Sequence, residues 1–476
     1  MWRNSHAAET PTGSPLLIAI TTLAPRLEGL LGSANVVSTP EELRRYAVDG
    51  VVPSAIAKPN SAAEVAEIVR FAIAERLCVI PTGGRTKLGI GRPPDRYDIA
   101  IDMTGLRQLA HYDPGDLTLS ADAGMTVHAL QEAVAANGQF LPLALPFFSE
   151  TTVGGSVASG IDSVYRRLLG SARDFLIGAE FVDGKGASCK SGGRVVKNVT
   201  GYDLHKLFIG SLGTLAVITR LNFRTYTWPE TSASQVASFS SLENALAFRA
   251  ELERSGLPFF NLEVLSPGLA AAFAKNLRAK NSSAPSAFEN GGWVVYAGWA
   301  GNPSVVRRIE TDLELCTQKC APTQAERLDG TLNSDVHVLF REAFPLLCAS
   351  SPDTVVLRIV HPRLPAEVLG SLSEIASKEN LAGHLLMRPV GVSYFALVAG
   401  TGELTANGRL ARAANAAVSL FAKSGATYSI LQASTPVKAS VPLWGPRGTD
   451  FALMRSVKRA FDPGNTFAPG RLAEGL

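Results

Sequence analysis

Three clusters of small residues in the first half of the chain restrict its fold more than any other feature. They are "PTGGRTKLGIG" at 81–91, "TTVGGSVASGIDS" at 151–163 and "VKNVTGYDLHKLFIGSLGTLAVITRLNFR" at 196–224. In the first, Gly83 and Gly84 follow a short apolar strand and permit a positive φ and a close approach of backbone N–H groups to an anion. Thr82 and Thr86 add hydroxyls, and Arg85 and Lys87 add charge. Alone, this cluster is equally an ordinary turn. Its spacing fits neither G-x-G-x-x-G opening a helix nor G-x-x-x-x-G-K-[ST]. In the second, Thr151 and Thr152 precede Gly154 and Gly155, and Ser156, Ser159 and Gly160 follow. In the third, Gly201, Gly210 and Gly213 surround a short helix-like run with Tyr202 and Asp203 beside it. Three such segments in one half of a chain, each next to a strand, point to one extended flat ligand. A dinucleotide has the right size.

The remaining pattern is α+β. Residues 1–14 are polar and read as frayed, and 15–32 read as a helix. A second short helix follows at 38–50, capped by Ser38 or Thr39. "SAIAKP", a helix capped by Asn60 or Ser61, and "CVIPTGG" form a β-α-β unit. "YDIAIDM" and "DLTLSADA" alternate as strands, and "TVHALQEAVAANG" is a helix closed by Gly138. "FLPLALPFFSETTVGGSVASG" reads as one long turn-rich segment. "DFLIGAEFVDGKGASCKSG" reads as a hairpin with its turn at Asp183-Gly184 and Gly186. Trp228-Pro229-Glu230 marks a boundary, after which strands and helices restart. The expected organisation is N-terminal helices over 1–47, a ligand-binding domain over 48–227, a second α+β domain over 228–430 and a terminal segment over 431–476.

Bulk properties exclude several classes. The net charge of +3 over 476 residues is too small and too evenly spread for a nucleic-acid binder. The longest apolar run near the start, "PLLIAITTLA", is about half the roughly 20 residues that span a membrane. Five cysteines, an odd and widely spaced set, argue against a disulfide framework and fit a reducing compartment. Cys316 and Cys320 lie one helical turn apart, with no second Cys or His pair to complete a metal set. They read as half-buried thiols, so an iron–sulfur cluster would sit on another chain.

Taken together, "PTGG", "KLG", "DAGMTVHALQEAVAANGQFLPL", "TTVGGSVASG", "VKNVTGYDLHKLFIGSLGTLAVITRLNFR" and the terminal "FDPGNTFAPGRL" resemble the FAD-binding oxidoreductases of the vanillyl-alcohol oxidase and p-cresol methylhydroxylase (PCMH) type. "KNVTGYDL" and "WGPRG" are most similar to the E-type glycolate oxidase FAD-binding subunit. The resemblance implies a two-part FAD-binding domain, a cap domain for substrate, and a C-terminal segment returning to the FAD domain. It implies that Pro81, Thr82, Gly83, Gly84, Arg85 and Thr86 wrap the FAD pyrophosphate. Gly124, Thr151, Thr152, Gly154, Gly155, Ser156, Ser159, Gly160, Gly201, Tyr202, Gly213 and Ile218 would follow the rest of the cofactor. Arg85 stands where relatives with a covalent flavin often carry histidine, so the FAD is expected to be noncovalent. No metal site is expected: the H-x-G-x-G-x-x-H cluster of the D-type relatives is absent.

The resemblance further implies a small 2-hydroxy acid, of the glycolate or D-lactate class, as substrate. A flavin-bearing accessory subunit, working with a separate catalytic flavin chain and an iron–sulfur chain, is the competing reading. Either form would be cytoplasmic, or peripheral at the inner membrane through its partners. The catalytic candidates are Arg358, His384 and Arg388 on the second domain. An arginine fork suits a substrate carboxylate, but equally a salt bridge within a sheet.

Overall fold

The computed structural model describes residues 15–194, 201–351, 353–362, 364–400, 406–446, 448–473 and 476. The frayed reading of residues 1–14 and the "VVKNVT" part of the third cluster lie outside them.

The chain folds as α+β, and its first half holds two main sheets. Strands Ala55–Ala57, Ile99–Asp102 and Val79–Thr82 run parallel, and Val36–Val37 is added antiparallel at one edge. The N-terminal segment thus supplies a strand as well as helices. Helix Ala62–Ala74 connects two of the parallel strands. Its cap is reciprocal: Ser61 Oγ accepts from the Glu64 N–H at 3.2 Å, and the Glu64 carboxylate accepts from the Asn60 N–H at 2.8 Å. The second sheet is antiparallel, in the order Leu109–Asp113, Thr118–Asp122, Val217–Arg224, Leu176–Val182, Ser188–Gly192. The expected hairpin is its last strand pair.

The segment read as turn-rich contains a helix, Val153–Ser159. Its paired glycines disfavour a helix by propensity. Packing decides otherwise. A Cβ on Gly154 would lie 2.8 Å from the Ala123 Cβ and 2.9 Å from its carbonyl oxygen. Only glycine lets this helix sit directly on the end of a strand, and Thr152 caps it by accepting from the Gly155 N–H at 3.2 Å.

The second half is one eight-stranded sheet. Its order is Gln324–Leu328, Thr231–Phe239, Trp293–Gly301, Asn261–Leu265, Ala382–Arg388, Val392–Val398, Thr354–Val360, Thr427–Gln432, every pair antiparallel. Helices Leu242–Arg254, Pro303–Cys320, Ala366–Lys378 and Ala406–Ser424 bury one apolar face. Helices Pro267–Ala279, Gly330–Arg341 and Ala343–Ser350 bury the other, together with Ile90, Ala144 and Val164 of the first half. The second face of the sheet is therefore the one that meets the first half. Cys316 and Cys320 lie partly buried on one of the outer helices.

The terminal segment returns to the first half. Helix Phe451–Phe461 brings Lys458 Nζ to Asp462 (2.6 Å), the Thr214 carbonyl (2.8 Å) and the Phe467 carbonyl (3.0 Å). Asp462 in turn accepts from the N–H groups of Thr466 and Phe467. Burial lowers the Lys458 pKa, which the Asp462 carboxylate opposes. The "FDPGN" run is thus a clamp that lays Phe467 beside Val79.

Candidate functional site

A cleft opens between the two sheets of the first half. Pro81, Thr82, Gly83, Gly84, Arg85, Thr86, Thr151, Thr152, Gly154, Gly155, Ser159, Gly213 and Ile218 line it. The three clusters, up to 137 residues apart, meet in one place: Pro81 comes within 3.3 Å of a Cβ built on Gly213, and Gly83 against Thr152.

The reason for the glycines differs from the sequence expectation. Gly83 and Gly84 do not have positive φ; Arg85, at 59°, does. A Cβ on Gly84 would lie 1.8 Å from the Glu150 carbonyl oxygen, and one on Gly83 2.1 Å from Thr152 Oγ1. The pair is small so that two loops can touch backbone to backbone and form one wall.

Five expected residues stay outside the cleft. Gly124 packs under the Met103 carbonyl, where a Cβ would lie 1.8 Å away. Ser156 is buried and donates to the Val153 carbonyl at 2.7 Å. Gly160 ends the short helix at φ 62° against Gly210. Gly201 and Tyr202 lie on the outer surface, Tyr202 87% exposed, away from the cleft. Asp203 precedes a 3-10 turn, Leu204–Phe208, without capping it, and pairs with Lys206 at 2.8 Å.

Sequence reading missed Leu212, Ala216 and Arg471, and named Lys87 only as a charge in the first cluster; all four line the cleft. Arg471 donates to the carbonyls of Leu88 (2.6 Å), Ile90 (2.5 Å) and Arg92 (2.8 Å), which pins the loop beyond the first cluster. Its position in the terminal "PGR" was the available signal. Lys87 Nζ donates to Thr151 Oγ1 (2.5 Å), Thr86 Oγ1 (3.1 Å) and the Pro146 carbonyl (3.4 Å).

Pro146 also borders a much smaller cavity of about 20 Å³ between the halves, lined by Asp162, Arg341, Arg388 and Tyr394. This adjoins the cleft through Lys87 and Thr151, which both reach the Pro146 carbonyl. Arg358 and Tyr394 are cross-strand partners, and Arg388 lies one step along the same face. The three catalytic candidates separate here. Arg358 is tied to Asp162 by Nε (2.7 Å) and Nη2 (2.6 Å), and Arg166 holds the other carboxylate oxygen. His384 stands four residues before Arg388, roughly 13 Å along the strand. It packs on Gly268 with no hydrogen-bond partner at Nδ1, and burial lowers its pKa. Arg388, 6% exposed, donates to the Phe340 carbonyl at 2.8 Å, while its Nε and Nη1 make no hydrogen bond. The fully buried Glu263 lies 3.9 Å from Nε, and burial pushes its carboxyl up to about 7 against the pull of Arg388. Tyr394, pushed up to about 12 by burial, keeps its proton and donates weakly to Asp162.

Helix Gly330–Arg341, unread in the sequence, supplies Arg341 and His337. His337 stacks on Tyr165 at 5.1 Å, and burial lowers it to about 4, so it is neutral at ordinary pH. Its helix was legible after Asp329 in the spacing of Leu332, Val336, Leu339 and Phe340.

The cleft suits a dinucleotide by its elongated wall of backbone and hydroxyls and by the cation of Lys87 inside it. Comparisons with known proteins agree. Residues 53–192 match the FAD binding domain, and 445–472 match the C-terminal domain of FAD linked oxidases. A D-2-hydroxyglutarate dehydrogenase of Xanthomonas citri pv. viticola is 26% identical, covering 94% of this chain and 96% of that protein. Glycolate oxidase subunit GlcE of Escherichia coli is 34% identical over 197 residues, 41% of this chain and 55% of that subunit. The fold matches p-cresol methylhydroxylase with a TM-score of 0.76 at 16% identity, covering 95% and 96% of the two chains.

Proposed function

We propose that this chain is an FAD-dependent oxidoreductase and that it oxidises a small 2-hydroxy acid held between its halves. The observation that carries this reading is Arg388. Two of its N–H donors are buried and unbonded in a cavity next to the cofactor cleft. A buried donor without a partner is costly, and a substrate carboxylate would accept from one of them. Bound FAD would supply a hydride acceptor for the substrate α-carbon. The chain's own part is to hold and orient. Arg388 anchors the carboxylate, Tyr394 offers a protonated hydroxyl beside it, and Arg358 and Asp162 fix the tyrosine's surroundings. The named activities of the relatives, on D-2-hydroxyglutarate and glycolate, favour the same substrate class.

The flavin is held without a covalent bond in this reading. The purified chain is expected to be yellow and to release all its flavin into the supernatant on acid precipitation. Flavin that stays with the precipitate would refute noncovalent attachment, and a chain that takes up no added FAD would refute the cleft assignment.

A second reading, an accessory flavin subunit, is favoured by one specific surface. Leu207, Ile209, Leu453, Met454, Val457 and Leu472 line an apolar groove of about 310 Å³, and Leu204 stands exposed on the same 3-10 segment as Leu207, with exposed Tyr202 just before that segment. Surfaces of this kind mark contacts with other chains. Anaerobic mixing with glycolate, D-lactate and D-2-hydroxyglutarate separates the two readings. We expect slow bleaching of the flavin by the isolated chain, faster with a catalytic flavin chain and an iron–sulfur chain present. Rapid bleaching by the isolated chain would make it a complete dehydrogenase and dispose of the accessory reading.

A further inference from the structure

Among the described residues, three cationic side chains line the cofactor cleft: Arg85, Lys87 and Arg471. Two of them are engaged elsewhere. Arg471 is spread over three backbone carbonyls and faces Asp49 at 3.7 Å. Arg85 lays its guanidinium over the Tyr46 ring at 4.4 Å, on the exposed rim. Lys87 is different. Its ammonium reaches only neutral oxygens, those of Thr151, Thr86 and Pro146, with the Phe147 ring 5.7 Å away.

The carboxylates facing it are Glu342, from the cap helices, and Glu150, from its neighbouring loop. Neither forms an ion pair with it. Glu342 accepts from the N–H groups of Phe147 (2.8 Å) and Phe148 (3.4 Å) and from Arg341 Nε (2.9 Å). Glu150 is exposed. Lys87 is therefore a cation walled in by dipoles, beside a cleft shaped for a dinucleotide. Such a group is relieved in two ways, by losing its proton or by gaining an anion.

We propose that Lys87 is the anion receptor of the cleft, and that FAD binding is coupled to proton uptake at its Nζ. The proposal rests on the reading of this cleft as the FAD site. Burial lowers Lys87 to about 7, with Glu342 and Glu150 acting in the opposite sense. A diphosphate brought to Nζ raises the pKa again. Above pH 7 the amine of the free chain is then largely neutral, whereas in the complex it is an ammonium ion. Binding in that window takes up close to one proton, and affinity falls about tenfold per pH unit until the pKa of the complex is reached. Below the lower pKa both states are protonated and the affinity is flat.

The experiment is calorimetric titration of the flavin-stripped full chain with FAD, at about pH 8, in two buffers of different ionisation enthalpy, with dissociation constants measured from about pH 6 to 9. The expected result is uptake of nearly one proton and an affinity that declines across the alkaline half. Lys87→Arg, permanently charged, is expected to bind FAD with no uptake and no slope. Lys87→Met is expected to bind at least about tenfold more weakly at about pH 6, also without uptake. A wild-type chain that binds FAD with a flat profile and no uptake overturns the proposal and leaves the cleft assignment standing. So does uptake that persists in Lys87→Arg. A chain that binds no FAD at any pH overturns the cleft assignment, and the proposal with it.

Discussion

Gly84→Val is expected to yield a chain that retains its cap sheet and carries no FAD. The cause is space, since Gly84 does not have a positive φ. The added Cβ would lie 1.8 Å from the Glu150 carbonyl oxygen and 2.7 Å from its carbonyl carbon. Both are backbone atoms, so no rotamer relieves the clash. The Glu150 loop cannot retreat freely either. The Phe147 N–H is held by Glu342, and Thr151 Oγ1 donates to the Pro146 carbonyl at 3.0 Å. Forcing the loops apart costs about 1–3 kcal/mol of overpacking, and it separates the hydroxyls and N–H groups that form the cleft wall. The eight-stranded sheet, built from residues 231–432, is untouched by this change. Flavin absorbance per chain is expected to fall to background, with circular dichroism largely preserved. Gly84→Ala is expected to fail in the same way, because one methyl is already too close. Gly193→Ala, with nothing within 4 Å of its Cβ, should retain the flavin. Full occupancy in Gly84→Val would remove the cleft from consideration.

The same residue shows how much of the molecule the sequence disclosed. Clustered glycines beside strands were read as the approach of one flat ligand, and thirteen of the residues assigned to the cofactor line one cleft. The physical reason was only half legible. Spacing reveals that a position must be small, but not whether ligand or protein occupies the space. Gly84 and Gly154 are small for another stretch of backbone, and Gly160 for Gly210. Gly201 and Tyr202 came in with a motif whose neighbours, Gly213 and Ile218, do reach the cleft; the 3-10 turn between them carries the motif's start to the outer surface. The order of the cap strands was beyond sequence reading. Sequential strands there are often not neighbours, as with Val392–Val398, which lies between Ala382–Arg388 and Thr354–Val360. That order alone places Arg358, Tyr394 and Arg388 together and leaves His384 toward the far end of its strand.

Arg388→Met is expected to have the second large effect, and it has two separable parts. The first is stability. Glu263 is 0% exposed, neither carboxylate oxygen has a hydrogen-bond partner, and Arg388 is the foremost cation opposing its burial. Its carboxyl already stands at about 7, above its ordinary value of 4.5. A carboxyl raised on folding binds more protons in the folded state, so its contribution declines as pH rises from the unfolded pKa to the folded one. Without Arg388 the folded value moves higher still, and the decline continues further into the alkaline range. The variant should resemble the parent near about pH 4 and be less stable by about 3–5 kcal/mol well above neutrality, the cost of breaking a buried pair. Thermal melts across pH measure this directly. The second part is substrate handling. Losing a charge-assisted hydrogen bond costs about 1.5–3 kcal/mol, so flavin reduction by 2-hydroxy acids should slow by roughly ten- to a hundredfold. Instability alone could mimic that loss. Adding Glu263→Gln removes the stranded charge and should restore the alkaline melting temperature while leaving flavin reduction slow. If the double variant instead regains parental reduction rates, Arg388 serves only to neutralise Glu263, and the substrate carboxylate is held elsewhere.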